Sequence, residues 1–134
     1  MGSSIDVYTI NIDGTSRVAL TNLPSREILG DWSPDGTKLT IVSDAAGNGD
    51  IYTINADGSG LTRLTFSPLG EAQADWSSDG ASIAFERYQD RNGTSDIYTI
   101  ATDGTGVTTQ ITTGSKSEVQ PGWQRVCPPL PVCG

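Results

Sequence analysis

The chain has 134 residues, with 16 acidic and 8 basic side chains, no histidine, 16 glycines and 7 prolines. That is the length of one domain, and with only 35% apolar residues the mixture suits short strands and tight turns rather than long helices. The net charge of −8 speaks against nucleic acid and anionic lipid as partners. No run approaches the roughly 18 apolar residues of a membrane span, and the missing histidine removes the commonest general base and metal ligand.

In chain order, Met1-Gly2-Ser3-Ser4 has neither the basic nor the apolar region of a signal peptide and reads as a cloning start. The segment from Asp6 to Thr15 (Asp-Val-Tyr-Thr-Ile-Asn-Ile-Asp-Gly-Thr) returns from Asp50 to Ser59 and again from Asp96 to Thr105, at spacings of 44 and 46. Leu20-Thr21 returns as Leu64-Thr65 and Ile111-Thr112. Asp31-Trp32-Ser33-Pro34-Asp35-Gly36 returns as Asp75-Trp76-Ser77-Ser78-Asp79-Gly80, and a third tryptophan, Trp123, lies 47 residues beyond Trp76. Three sets of landmarks with one period identify an internal repeat. Within it, Leu39 and Ile41 alternate with Lys38 and Thr40, and Ile83 and Phe85 hold the matching places; such alternation predicts strands. Asp-Gly pairs at 13–14, 35–36, 57–58, 79–80 and 103–104, with Asn48-Gly49 and Asn92-Gly93, accept positive φ and predict hairpin turns. One period therefore holds four short antiparallel strands, the size of a β-propeller blade.

The pattern Asp-Ile-Tyr-Thr-Ile-Asn-Ala-Asp-Gly-Ser, then Leu-Thr, then Asp-Trp-Ser-x-Asp-Gly and Ile-x-Phe resembles the WD40-like repeat of TolB-family β-propellers over residues 5–125. The resemblance implies an all-β propeller segment of four-stranded antiparallel blades, about half of a six-bladed propeller. It also sets the phase. Residues 5–21 supply third and fourth strands, residues about 28–66 one blade and about 72–112 another. Residues about 118–126 supply one further first strand around Pro121-Gly122-Trp123, with no second strand after it. The partial propeller spans 1–126, with repeat periods starting near 6, 50 and 96, and 127–134 form a Pro/Cys-rich tail that looks like a linker. The chain is then either a piece of a longer protein or a unit that closes with a second copy, since each open end leaves apolar faces and strand edges wet.

Residues that recur with a repeat serve first to hold it together, so Trp32, Trp76, Trp123, Tyr8, Tyr52 and Tyr98 are expected in the core between blades. Asp31 and Asp75 precede the tryptophans at one phase. The resemblance puts their strand nearest the central axis, where they either line a channel that attracts a cation or basic peptide, or brace the following turn. Asn11-x-Asp13-Gly14 and Asn55-x-Asp57-Gly58 resemble half a calcium loop but lack its closing glutamate, and read as turns. No cofactor or metal is expected, although the Asp44–Asp50 turn has oxygen ligands enough for a calcium ion. The stretch Glu86-Arg87-Tyr88-Gln89-Asp90-Arg91 does not recur and is expected to be an exposed, widened hairpin, with Arg87, Tyr88 and Arg91 as partner contacts. No catalytic residue is expected, because no Gly-x-Ser-x-Gly elbow accompanies the many serines. The resemblance implies a non-catalytic protein-interaction module, partnered by another protein or by itself as a homodimer, in the periplasm or otherwise outside the cytoplasm, where a Cys127–Cys133 disulfide is compatible. It also leaves open a fragment of a propeller-containing enzyme, a peptidase gating domain or a polysaccharide lyase.

Overall fold

The computed structural model describes residues 4–90, 92–114 and 117–123. Ten strands follow one another with no helix among the described residues. A short hairpin comes first, β1 (Tyr8–Thr9) against β2 (Val18–Ala19). Two complete antiparallel meanders follow. One is β3 (Glu27–Trp32), β4 (Lys38–Ser43), β5 (Asp50–Asn55) and β6 (Thr62–Arg63); the other is β7 (Glu71–Trp76), β8 (Ser82–Tyr88), β9 (Ser95–Ala101) and β10 (Thr108–Gln110). The predicted third and fourth strands of a first blade, and two full blades after them, are thus all present.

The aspartate-glycine turns close for a local reason. Asp13, Asp57 and Asp103 each accept the amide of the residue two further on at 2.9 Å and its hydroxyl at 2.6 Å. Asp35 and Asp79 accept a hydroxyl from Ser33 and Ser77, both at 2.6 Å, and an amide from Thr37 and Ala81. These bonds favour the ionised form and hold all five carboxyls below the ordinary carboxylate value. For Asp35, bound by the Ser33 hydroxyl and by both the amide and the hydroxyl of Thr37, the value falls to about 2.

Alternation along the strands builds two cores, one on each side of the middle blade. Leu39, Ile41 and Ile54 face the hairpin and pack with Val7 and Leu20. Val42 and Ile51 face the other way and pack with Ala74, Trp76, Ile83, Phe85 and Ile100 of the next blade. Both faces of β4 are therefore covered, and its residues Leu39 to Ser43 are all buried. Burying a side chain of this size stabilises by about 1.5–3 kcal/mol, so each blade depends on its neighbours.

The blades also approach each other closely through backbone. The Thr40 hydroxyl donates to Ala74 O at 3.1 Å and accepts the Asp31 amide at 2.7 Å. Gly30 makes room for this contact: a Cβ there would lie 2.2 Å from the Thr40 hydroxyl oxygen and 2.7 Å from Ala74 O. Gly49 does the same where its carbonyl accepts the Glu71 amide at 2.7 Å; a Cβ on it would sit 2.7 Å from Glu71 O.

No strand is assigned among residues 117–123, where a further first strand was expected. The path nevertheless repeats that of β7. The Glu118 amide donates to Ser95 O at 2.8 Å, as Glu71 does to Gly49 O. Gln120 has φ 55° and Gln73 φ 54°, so even the bulge is kept. What is lacking among the described residues is a second strand to pair with it. The Pro/Cys-rich tail, with Cys127 and Cys133, and Arg91 lie outside the described residues.

Candidate functional site

The first strands β3 and β7 and the segment 118–123 stand side by side along one wall. A cavity of about 510 Å³ opens on it, lined by Asp31, Asp44, Glu71, Asp75, Tyr88 and Gln120 among others. A second, of about 590 Å³, lies against Asp31, Trp32, Asp75, Trp76 and Trp123. Three of the side chains singled out for binding, Asp31, Asp75 and Tyr88, thus meet at one concave surface, although they lie up to 57 positions apart in the chain.

Asp75 is the centre of this wall. Its carboxylate accepts the Trp123 amide at 3.2 Å, and its carbonyl accepts the Trp123 indole N–H at 3.0 Å. Burial, a hydrogen bond with Asp31 and the negative charge of Asp31 push the Asp75 carboxyl above the ordinary value, against the opposing pull of the Trp123 and Trp76 amides. A wall that holds two carboxyls this close favours whatever positive charge comes between them.

Of the charged stretch expected to be an exposed loop, Asp90 is exposed but residues 86–89 are buried or half-buried. Glu86 to Tyr88 belong to β8, and Glu86 is buried. The Arg87 guanidinium donates to Glu71 at 2.8 Å and 2.7 Å and lies 4.4 Å from the centre of the Tyr98 ring. It faces inward because Glu71, 2% exposed, needs a cation beside it. The two ends of the Asp44–Asp50 turn are placed differently. Asp44 accepts the Arg26 amide at 2.8 Å, and Asp50 is buried and paired with Arg63 at 2.9 Å. Burial still leaves Asp50 and Glu71 above their ordinary values, with Arg63 and Arg87 pulling them down.

The recurring aromatic residues are placed unequally. Trp76 is 8% exposed and part of the core, whereas Trp32 is 41% and Trp123 39% exposed. Tyr52 and Tyr98 border the two cores, and Tyr8 is exposed, with the Arg17 guanidinium 4.0 Å over its ring. Position relative to the ends explains this. Trp76 packs on a complete blade, while the unit before Trp32 has only β1 and β2 among the described residues.

Glu27 and Glu71 were missed by sequence reasoning. Each opens a first strand, is 2% exposed and sits at the seam with the preceding unit. Their recurrence at 27, 71 and 118, the same 44 and 47 spacing, was the available signal.

Four-stranded meanders packed face to face, with first strands lining a common wall, define a β-propeller segment. A family model described as the TolB beta propeller domain matches residues 2–126, and the chain belongs to that family. Among solved structures, a protein of Agrobacterium tumefaciens assigned as TolB has a TM-score of 0.70 and 26% identity, over 78% of this chain and 40% of that one. TolB from Acinetobacter baumannii has a TM-score of 0.65 and 22% identity, over 84% and 28%. The tricorn protease has a TM-score of 0.60 and 20% identity, over 85% and 10%. The chain thus spans less than half the length of these structures. No curated protein matches it closely enough to count as a relative.

Proposed function

We propose that the chain is a non-catalytic propeller module that holds a basic segment of a partner protein on the wall bearing Asp31 and Asp75. The observation that carries this reading is the convergence of those two carboxyls on one concave surface, with Asp75 pushed above its ordinary value partly by Asp31. The overall charge of −8 would draw a basic partner toward it. The resemblance to TolB-like propellers supports an interaction role and a place outside the cytoplasm, and the lack of histidine supports the non-catalytic reading. The test is binding of an arginine-rich peptide to the chain and to a D31N/D75N variant. Affinity should fall at least about tenfold in the variant, the loss of one to two charge-assisted contacts, and should weaken with salt. Equal affinity for both proteins would refute the site.

Self-association belongs to the same proposal. Ile10, Ile12, Val18, Ile28, Leu29, Phe66 and Val107 are exposed, apolar side chains that a second copy would bury. A second copy covering the open ends predicts a light-scattering mass near twice that of the chain. A monomer at every concentration would remove this part and leave the binding wall standing.

A further inference from the structure

The seam between the hairpin and the first full blade carries the same acidic pair as the seam one repeat later, without its cations. At the later seam Asp50 pairs with Arg63, and Glu71 with Arg87. Forty-four residues earlier stand Asp6 and Glu27. The strand registers fix what replaces the arginines. Tyr52 lies opposite Arg63 and Tyr8 opposite Ala19; Glu71 lies opposite Arg87 and Glu27 opposite Ser43. The backbone frame is the same, since the Glu27 amide donates to Ile5 O at 2.8 Å as the Glu71 amide does to Gly49 O. Asp6 follows Ile5 as Asp50 follows Gly49, so the repeat puts Asp6 at the position from which Asp50 acts on Glu71 one period later.

At the later seam Glu71 is satisfied by the Thr65 hydroxyl as well as by Arg87, whereas at the earlier one a buried glutamate oxygen is left without a donor. Glu27 is 2% exposed; its Oε1 accepts the hydroxyls of Ser25 and Ser43, and its Oε2 is buried with no donor. Asp6 Oδ1 is also buried with no donor, as Asp50 Oδ1 is at the later seam, where Arg63 reaches only the other oxygen. Among the described residues no lysine or arginine pairs with either. Two carboxylates at one buried seam need compensating positive charge. The unpartnered atoms are all oxygen, which suits a hard cation, and a pair of negative charges matches a divalent one. Asp6 is only partly buried, which leaves a way in from solvent.

We propose that this seam is a cation site of the calcium class, with Asp6 and Glu27 as its anionic ligands. The ion there takes the part that Arg63 and Arg87 play one repeat later, and it joins the hairpin to the blade.

Thermal melts at constant ionic strength, in chelator and in about 1 mM calcium, the affinity range of extracellular calcium modules, test this. The unaltered chain should melt several degrees higher with calcium, and calorimetry should count one ion per chain. A D6N/E27Q variant should lose the response. An A19R/S43R variant, which restores both missing cations, should lose it too and melt in chelator at least as high as the unaltered chain does with calcium; S43R alone serves if the double variant folds poorly. D31N/D75N should keep the response. An unaltered chain indifferent to calcium, a response that survives D6N/E27Q, or one abolished by D31N/D75N would overturn the assignment. Stabilisation by acid alone would overturn it in favour of a shared proton.

Discussion

Replacing Trp76 by alanine should cost far more than replacing Trp32, although the two hold one repeat position. Trp76 keeps 8% of its surface exposed and Trp32 41%. A tryptophan buries up to about 250 Å², so the difference is about 80 Å². At about 25 cal/mol per Å² this is about 2 kcal/mol. A buried tryptophan cut to alanine typically loses about 3–5 kcal/mol, which places W76A at about 4 kcal/mol and W32A at about 2 kcal/mol. Urea denaturation followed by far-ultraviolet circular dichroism measures both, with W76F as the milder change should W76A not fold. Equal losses in a monomeric sample would refute the argument that a two-stranded neighbouring unit leaves Trp32 short of partners. A loss at Trp32 that grows with protein concentration would mean that a second copy covers it.

Four further outcomes follow from the geometry. R87A should destabilise by about 3 kcal/mol, because it strands the buried Glu71 charge, and E71Q/R87M should recover part of that loss in the same denaturation assay. G30A should cost about 1–3 kcal/mol as an overpacked contact, since its Cβ meets the Thr40 hydroxyl and Ala74 O; T40S should not relieve it, because the hydroxyl remains. Asp35, with its carboxyl lowered to about 2, contributes stability that is full above the ordinary carboxylate value and is lost as pH falls through the folded value; D35N should flatten that acid limb of a melt-versus-pH series. Asp75 is raised, so its contribution is present below the ordinary value and lost as pH rises through the folded one. D75N should therefore raise the melting temperature near neutral pH and change it little in acid.

The repeat made the blades legible because each Asp-Gly turn and each alternating run is a local signal, and local signals recur with the period. The wall was half legible. Asp31 and Asp75 share a phase, but Tyr88 joins them only through the packing of β8 beside β7, which no spacing reveals. Arg87 misled because charge in a non-recurring stretch reads as surface, and its inward turn depends on Glu71, a strand away. Glu27 and Glu71 fall between the better landmarks, and a single glutamate in a polar stretch reads as solvated until its seam is seen. Trp32 and Trp76 show the limit of arguing from recurrence. The repeat sets which way a side chain points, while the neighbouring unit decides what it meets.

The hairpin of β1 and β2 is held by two-residue strands and by Val7 and Leu20 against Leu39, Ile41 and Ile54. Such a unit opens at lower free energy than a four-stranded sheet, so its amides exchange with solvent first and its loop is where a protease first cuts. Each opening uncovers a row of aliphatic side chains on β4 and β5 while the rest of the molecule stays folded. Any association through that row follows how often the small unit opens, so a tether across it should slow association without altering the packing between the other two blades.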